Sequence, residues 1–174
     1  MIYRSATLAD APALAHLGAE TFVAAFGDLY TPTDLANFLA EVHNADAVAG
    51  EIAGDSCTHR LVEDANDDGG QLVAFCKLRY PTKFGEYTEA KNPIELGQLY
   101  ALPTHTGHGI GAKLMDWALA HAREHGHDAV LLSVYAENFG AQRFYQRYGF
   151  AKIADITFKV GDHYDPEYLY ELKL

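Results

Sequence analysis

Positive charge is scarce: 13 lysines and arginines stand against 24 aspartates and glutamates in 174 residues, a formal charge of −11. A sequence-independent nucleic-acid binder needs a basic face to displace condensed counterions, so the balance argues against that role. Cysteine is scarce too. Cys57 and Cys76 are the only two, they lack a CxxC spacing, and each falls in an apolar segment. They read as buried free thiols in a reducing compartment, with one structural disulfide as the alternative. No apolar run approaches the ~20 residues needed to span a bilayer. Met1-Ile2-Tyr3-Arg4 is not followed by a signal-peptide core. Internal repeats and low-complexity tracts are missing as well. What is present suits a globular protein, with 49% hydrophobic and 21% charged residues, and the length fits a single domain over residues 1–174. The expectation is a cytoplasmic protein with neither membrane nor nucleic-acid partners.

Periodicity divides the chain into elements. Residues 2–7 read as a short strand, and Thr7-Leu8-Ala9-Asp10 resembles a capping box with aspartate in place of Glu or Gln. The helix that follows carries Leu14, Leu17 and Phe22 on one face. Thr31-Pro32-Thr33-Asp34 opens a second helix, with Pro32 at the first helical position and Leu35, Phe38, Leu39 and Val42 at helical spacing. A third helix covers residues 46–53. Beyond residue 55 strands follow at 59–63 and 71–80, joined by a polar hairpin turn over 63–70. Residues 81–93 form an irregular loop, either substrate-facing or a solvated connection. A strand at 94–102 and a helix at 109–125 come next. The continuous apolar run at 129–135 is expected of a central strand covered on both faces. A helix over 138–148 ends at Gly149, and strands at 150–160 and 164–172 complete the chain. The pattern is a mixed sheet with helices on both faces, in the α/β or α+β class.

The stretch Thr106-Gly107-His108-Gly109-Ile110-Gly111-Ala112 follows a strand and opens a helix. Glycines let backbone amides approach an oxyanion closely, and the unpaired N–H groups of the first helical turn point the same way. Such an anion cradle suits an acidic chain, because oriented amides replace most cationic side chains; His108 and Lys113 add local positive charge. The spacing G-x-G-x-G fits neither the dinucleotide fingerprint G-x-G-x-x-G nor a P-loop with its Lys-Ser/Thr. A nucleotide-binding oxidoreductase is therefore disfavoured.

Two segments carry a family resemblance. Residues 103–114, and then Asn138-Phe139-Gly140-Ala141-Gln142-Arg143-Phe144-Tyr145-Gln146-Arg147-Tyr148-Gly149-Phe150, resemble the two signature motifs of the GNAT superfamily (Gcn5-related N-acetyltransferases). The first, Q/R-x-x-G-x-G/A, matches at both glycines but has Thr106 at the Gln/Arg position, which removes a side-chain donor near the pyrophosphate. The second, N-x-x-A-x-x-F-Y-x-x-x-G-F, matches at every fixed position. The resemblance covers nearly the whole chain, most strongly residues 94–150. It implies a mostly antiparallel, twisted sheet of about seven strands with helices on both faces.

The resemblance also implies chemistry: acetyl transfer from acetyl-CoA to a primary amine by direct attack in a ternary complex. An alkylammonium is only about 0.04% neutral at pH 7, a handicap of roughly 4–5 kcal/mol unless a base or desolvation helps. Family position puts that base at Glu95, with a strand-end carboxylate that merely orders substrate or faces solvent as the alternative. Free amides near Leu99, Tyr100 and Ala101, on a strand splayed from its neighbour, would bind the pantetheine arm and the acetyl oxygen. Thr106, Gly107, His108, Gly109, Ile110, Gly111 and Ala112 would hold the diphosphate. Tyr145 falls at the general-acid tyrosine, and Asn138 at a pantetheine contact that also suits a helix N-cap. His121, His125 and His127 read as exposed helix positions and Trp117 as core, so no metal is expected. Residues 158–165 and 168–172 resemble the ending of PaiA-like members, which favours a polyamine acceptor, as does the negative charge. The alternatives are a non-catalytic acyl-CoA sensor and an enzyme acting on a protein amine. Dimers are common in the family, so a homodimer is in keeping with it.

Overall fold

The computed structural model describes residues 1–65 and 70–174. The expected hairpin turn over 63–70 has its centre, 66–69, outside the described residues. Seven strands form one sheet: β1 (Ile2–Ser5), β2 (Cys57–Asp64), β3 (Gln71–Arg79), β4 (Pro93–Ala101), β5 (Ala129–Tyr135), β6 (Ala151–Val160) and β7 (His163–Lys173), in the order β1-β2-β3-β4-β5-β7-β6. Every neighbouring pair is antiparallel except β4 and β5. A parallel pair needs a long crossover, and α4 (Ile110–Glu124) supplies it. The remaining helices are α1 (Ala11–Phe26), α2 (Pro32–Val42), α3 (Ala45–Ala53) and α5 (Phe139–Arg147). Among the described residues no helix is long and apolar enough to cross a membrane.

The helix starts follow the capping chemistry of the sequence. Asp10 accepts hydrogen bonds from the amide and hydroxyl of Thr7, both at 2.8 Å, and takes a two-pronged contact from Arg4. Arg4 holds the Asp10 carboxyl far below its ordinary range. Thr31 caps α2 by accepting from the Asp34 amide, with Pro32 at the first position.

Strand alternation places the helices on opposite faces. Lys77 of β3 points toward α3, where it meets Glu51, while its neighbour Cys76 lies beside Tyr145 of α5. β5 is covered on both sides, as its apolar run requires: Val130, Leu132 and Val134 join the main core, and Ala129 and Leu131 pack with Phe84 and Leu169. Phe84 comes from the loop of residues 81–92, so that loop roofs one end of the sheet. Both cysteines are free; Cys76 is buried but Cys57 is half-buried, a correction to the expected pair of buried thiols. Cys57 begins β2 opposite Arg79 near the end of the β2–β3 ladder, where covering is incomplete.

One buried charge cluster is fully paired. Lys77, with a side chain only 5% exposed, donates to both oxygens of Glu51 at 2.9 and 3.1 Å, and His59 Nε2 lies 3.2 Å from the same carboxylate. Burial alone would raise the Glu51 carboxyl, but the His59 contact and the Lys77 charge outweigh it and bring it down to about 2. A depressed carboxyl contributes stability above its unfolded value, so this contribution is complete at neutral pH and is lost as pH falls from about 4.5 toward 2. Removing the carboxylate strands the buried ammonium. Glu51→Ala is expected to cost about 3 kcal/mol at pH 7 by urea unfolding, with the deficit shrinking at acid pH; a loss below about 1 kcal/mol would show that water already screens the pair.

Candidate active site

The site starts at a fault in the sheet. β4 and β5 pair over only three positions, Pro93 with Ala129, Ile94 with Val130 and Glu95 with Leu131. β4 then runs on to Ala101 bonded to β3 alone, and β5 runs on to Tyr135 bonded to β7. The cause is local. Opposite β3, Leu78 pairs with Leu96 and Lys77 with Gln98, which leaves Gly97 as an extra, unpaired residue. Such a bulge bends its strand and increases the twist, turning β4 away from β5 just past Glu95. The β5-facing backbone groups of residues 96–101 have no strand to meet. A cavity of about 540 Å³ fills the opening, lined by Leu99, Tyr100 and Ala101 from one arm and by Ser133, Val134 and Tyr135 from the other.

β4 leads into the glycine turn. Pro103–His105 form a single 3₁₀ turn, and Gly107 and Gly109 take φ of 79° and 76° before α4 begins. Among the described residues no backbone partner engages the amides of residues 107–112; the first intrahelical bond of the turn is Lys113 N–H to Gly109 at 3.1 Å. These donors form an open anion cradle with the positive end of α4 behind it. Thr106 and Gly111 line the cavity, whereas Gly107, His108, Gly109, Ile110 and Ala112 continue along the turn beyond its walls. The Ile110 side chain is buried in the core, so only its backbone faces the cradle. The Thr106 hydroxyl donates to the Pro103 carbonyl at 2.9 Å and is used up within the turn.

α5 closes the same opening. Asn138 caps it by accepting from the Ala141 amide at 3.1 Å and also lines the cavity, so it serves as cap and wall together. The Gln142 side-chain amide donates to the carbonyls of Tyr135 and Ala136, fixing the helix to the end of β5. Tyr148 donates to the Ala112 carbonyl at 3.2 Å and so ties α5 to the first turn of α4. Between these anchors Tyr145 lines the cavity, and burial followed by the neighbouring Cys76 raises its phenol well above the ordinary range. It is protonated at neutral pH.

The other end of the cavity is walled by Phe22, Phe26, Tyr30, Phe38 and Phe158 and carries three carboxylates. Glu95 is buried and bonded to Arg79 at 2.9 Å, to the Thr82 hydroxyl and to the Lys83 amide. Asp165 accepts from Tyr30 and lies 3.0 Å from His163 Nε2. Burial, followed by the bond to Asp165, pushes the Tyr30 phenol far up. Glu167 has a buried Oε2 with no hydrogen-bond partner. His43 faces this end too, with its Nε2 buried and unpartnered; burial, then the Lys77 charge, lowers it to about 4, so the imidazole is neutral.

The expected residues Glu95, Leu99, Tyr100, Ala101, Thr106, Gly111, Asn138 and Tyr145 therefore meet around one opening. Asp165, Glu167, Tyr30 and His43 were not expected as functional residues. The one local signal is that Asp165 and Glu167 stand two residues apart and so share a face of β7 with His163 and Glu171. The loop at 81–93 is more than a solvated connection: Phe84 packs on the sheet, and Lys83 lines the cavity. His121 and His125 stack with ring centroids 4.0 Å apart, away from this cavity.

Comparison with known proteins gives a consistent outcome. The family model described as acetyltransferase (GNAT) family matches residues 20–150. An uncharacterized N-acetyltransferase of Mycobacterium tuberculosis is 32% identical over 162 residues, 93% of this chain and 96% of its own. Among solved structures, a PaiA N-acetyltransferase from Thermoplasma acidophilum in complex with coenzyme A superposes with a TM-score of 0.77 at 19% identity, covering 99% of this chain and 98% of that one. The spermidine/spermine N-acetyltransferase of Vibrio cholerae gives 0.66 at 18% identity, covering 99% and 91%. At these identities the structures speak for the fold.

A Cβ added at Gly109 would meet nothing within 4 Å, so only its positive φ resists substitution. Gly109→Ala is expected to destabilise the fold by about 1 kcal/mol through left-handed strain. Gly50→Ala, inside α3 with open space around it, should stabilise by roughly 0.5–1 kcal/mol. Thermal unfolding of both variants decides the point, and effects of equal sign would contradict the geometry given for the turn.

Proposed function

The chain belongs to the acetyltransferase (GNAT) family, and from that premise we propose that it moves the acetyl group of acetyl-CoA directly to the primary amine of a small molecule held in a ternary complex. The observation that carries the proposal is the β4–β5 opening, with an amide cradle at one end and a carboxylate-bearing chamber at the other. The diphosphate of the coenzyme suits the amides of residues 107–112, and the pantetheine arm suits the free edge of β4 at Leu99, Tyr100 and Ala101. The thioester carbonyl then lies along backbone donors fixed before the substrate arrives, and such donors are worth about 3–4 kcal/mol each to an oxyanion.

The amine nitrogen attacks the carbonyl carbon, the C–S bond breaks, and the sulfur leaves as a thiolate. Tyr145 supplies its proton. A phenol is a weaker acid than a thiol in water, but desolvation raises both groups. Cys76, buried behind Tyr145, shows the effect on sulfur, since burial pushes its thiol far above the ordinary range.

For the acceptor we favour a polyamine. The whole-chain charge of −11 attracts cations, and Glu95, Asp165 and Glu167 line the chamber. Of the lysines and arginines there, Arg79 is paired with Glu95 and Lys77 with Glu51. The Vibrio cholerae neighbour, whose fold this chain shares, is a spermidine/spermine N-acetyltransferase.

Two measurements test the reading. In an acetyl-CoA turnover screen, spermidine should give a higher kcat/KM than neutral amino acids or aminoglycosides, and equal or lower activity removes the polyamine. Tyr145→Phe should lower kcat by at least about tenfold, toward the 10²–10⁴ typical of general acids, with unchanged acetyl-CoA affinity. Full activity in that variant at neutral pH removes the acid role.

A further inference from the structure

Transfer requires an acceptor for the ammonium proton, and the three carboxylates of the chamber differ in how fully they are already engaged. Both oxygens of Glu95 are occupied, Oε1 by Arg79 and Oε2 by the Thr82 hydroxyl and the Lys83 amide. Both oxygens of Asp165 are occupied as well, by His163 and by Tyr30. Of the three, Glu167 keeps an oxygen, Oε2, that is buried and without a hydrogen-bond partner, on a side chain lining the cavity. An unsatisfied buried acceptor is destabilising, and an arriving ammonium group would satisfy it.

Its place in the sheet suits the task. Glu167 pairs with Tyr135 at the end of β5, where β4 has already diverged. Its charge is felt by Tyr100 on the opposite arm and by Tyr30 beyond the end of α1. It therefore lies at the open end of the β4–β5 pair and lines the same cavity as Tyr100 and Tyr30.

Resting on the acetyltransferase reading above, we propose that Glu167, rather than Glu95, accepts the proton of the substrate ammonium. Glu95 is then a positioning residue that fixes Arg79 and the loop at Thr82 and Lys83. The protons balance as follows. The ammonium gives one proton to Glu167 Oε2, and the neutral amine attacks the thioester carbon. As the C–S bond breaks, Tyr145 protonates the sulfur and regains a proton from the nitrogen of the new amide. Glu167 releases its proton to water, so one proton leaves per acetyl group transferred.

The groups facing Glu167 act in both directions. Burial raises its carboxyl first, and Asp165 adds to the rise; Ser133 on β5 and Lys83 on the roofing loop oppose it, with a net shift upward. A raised carboxyl is a stronger base once ionised, and it is ionised only above its raised value. Activity should therefore climb with pH along an acid limb that Glu167 sets.

The test compares Glu167→Gln, Glu167→Asp and Glu95→Gln with the wild type, measuring kcat/KM for spermidine from pH 5 to 10 and acetyl-CoA affinity by calorimetry. Glu167→Gln should lose about 100-fold at pH 7 and recover about tenfold per pH unit as the free amine appears. Glu167→Asp should restore part of the loss, and acetyl-CoA affinity should stay unchanged. Glu95→Gln should keep the wild-type shape of the pH profile, whatever its height. A Glu167→Gln enzyme within threefold of wild type, with the acid limb intact, overturns the assignment while leaving the acetyltransferase reading standing. A wild-type protein that does not bind acetyl-CoA overturns that reading and this proposal with it.

Discussion

A sheet that fails to close between two of its central strands governs everything else in this protein. β4 and β5 hold together for three positions, and Gly97 then adds one residue too many for the ladder with β3. The bend leaves polar backbone on a free edge inside the molecule, where an unpaired amide is costly. The fold tolerates it because the arms are held from outside: β3 keeps β4, β7 keeps β5, and α5 is bolted to both β5 and α4 through Gln142 and Tyr148. An opening so braced does not depend on a ligand to form, and its donors need little reorganisation when one binds.

The same arrangement explains how an acidic chain can belong to a family that uses a polyanionic cosubstrate. The cradle at residues 107–112 relies on main-chain dipoles, which keep their local positive potential whatever the net charge of the surface. Lysine and arginine near the cavity are mostly committed to carboxylates, Arg79 to Glu95 and Lys77 to Glu51. The negative surplus is thereby felt at the opposite end, where the proposed acceptor is a cation. In the proposed reading, fixed dipoles at the glycine turn and carboxylates at the far end of the cavity of about 540 Å³ let the opening serve an anion and an ammonium together.

Much of this was readable in the residues, and what was not has a physical reason. Glycines ahead of an amphipathic helix and Asn138 as a cap are local signals that the local geometry reproduces, and Tyr145 lines the cavity. The continuous apolar run of β5 announced burial on both faces. Even the splay was expected, though only by family likeness; the bulge that causes it depends on register with β3, which no single strand reveals. Glu167 and Asp165 are not legible in the sequence because their surroundings come from strands and helices far away in it. Tyr30 is 135 residues from Asp165, and what sets Glu167 apart, an oxygen without a partner, is a property of the packed state alone. Cys57 was misjudged for a similar reason: an apolar neighbourhood in sequence did not guarantee cover at a ladder's end.

The measurement that bears most directly on the divergent strands is amide hydrogen exchange with and without acetyl-CoA. Slowed exchange is expected in two places together, along β4 from Leu99 to Ala101 and in the turn from Gly107 to Ala112, with β2 and β3 unaffected. Protection that appears elsewhere, or no change at either place at saturating acetyl-CoA, would contradict the role given to the broken ladder.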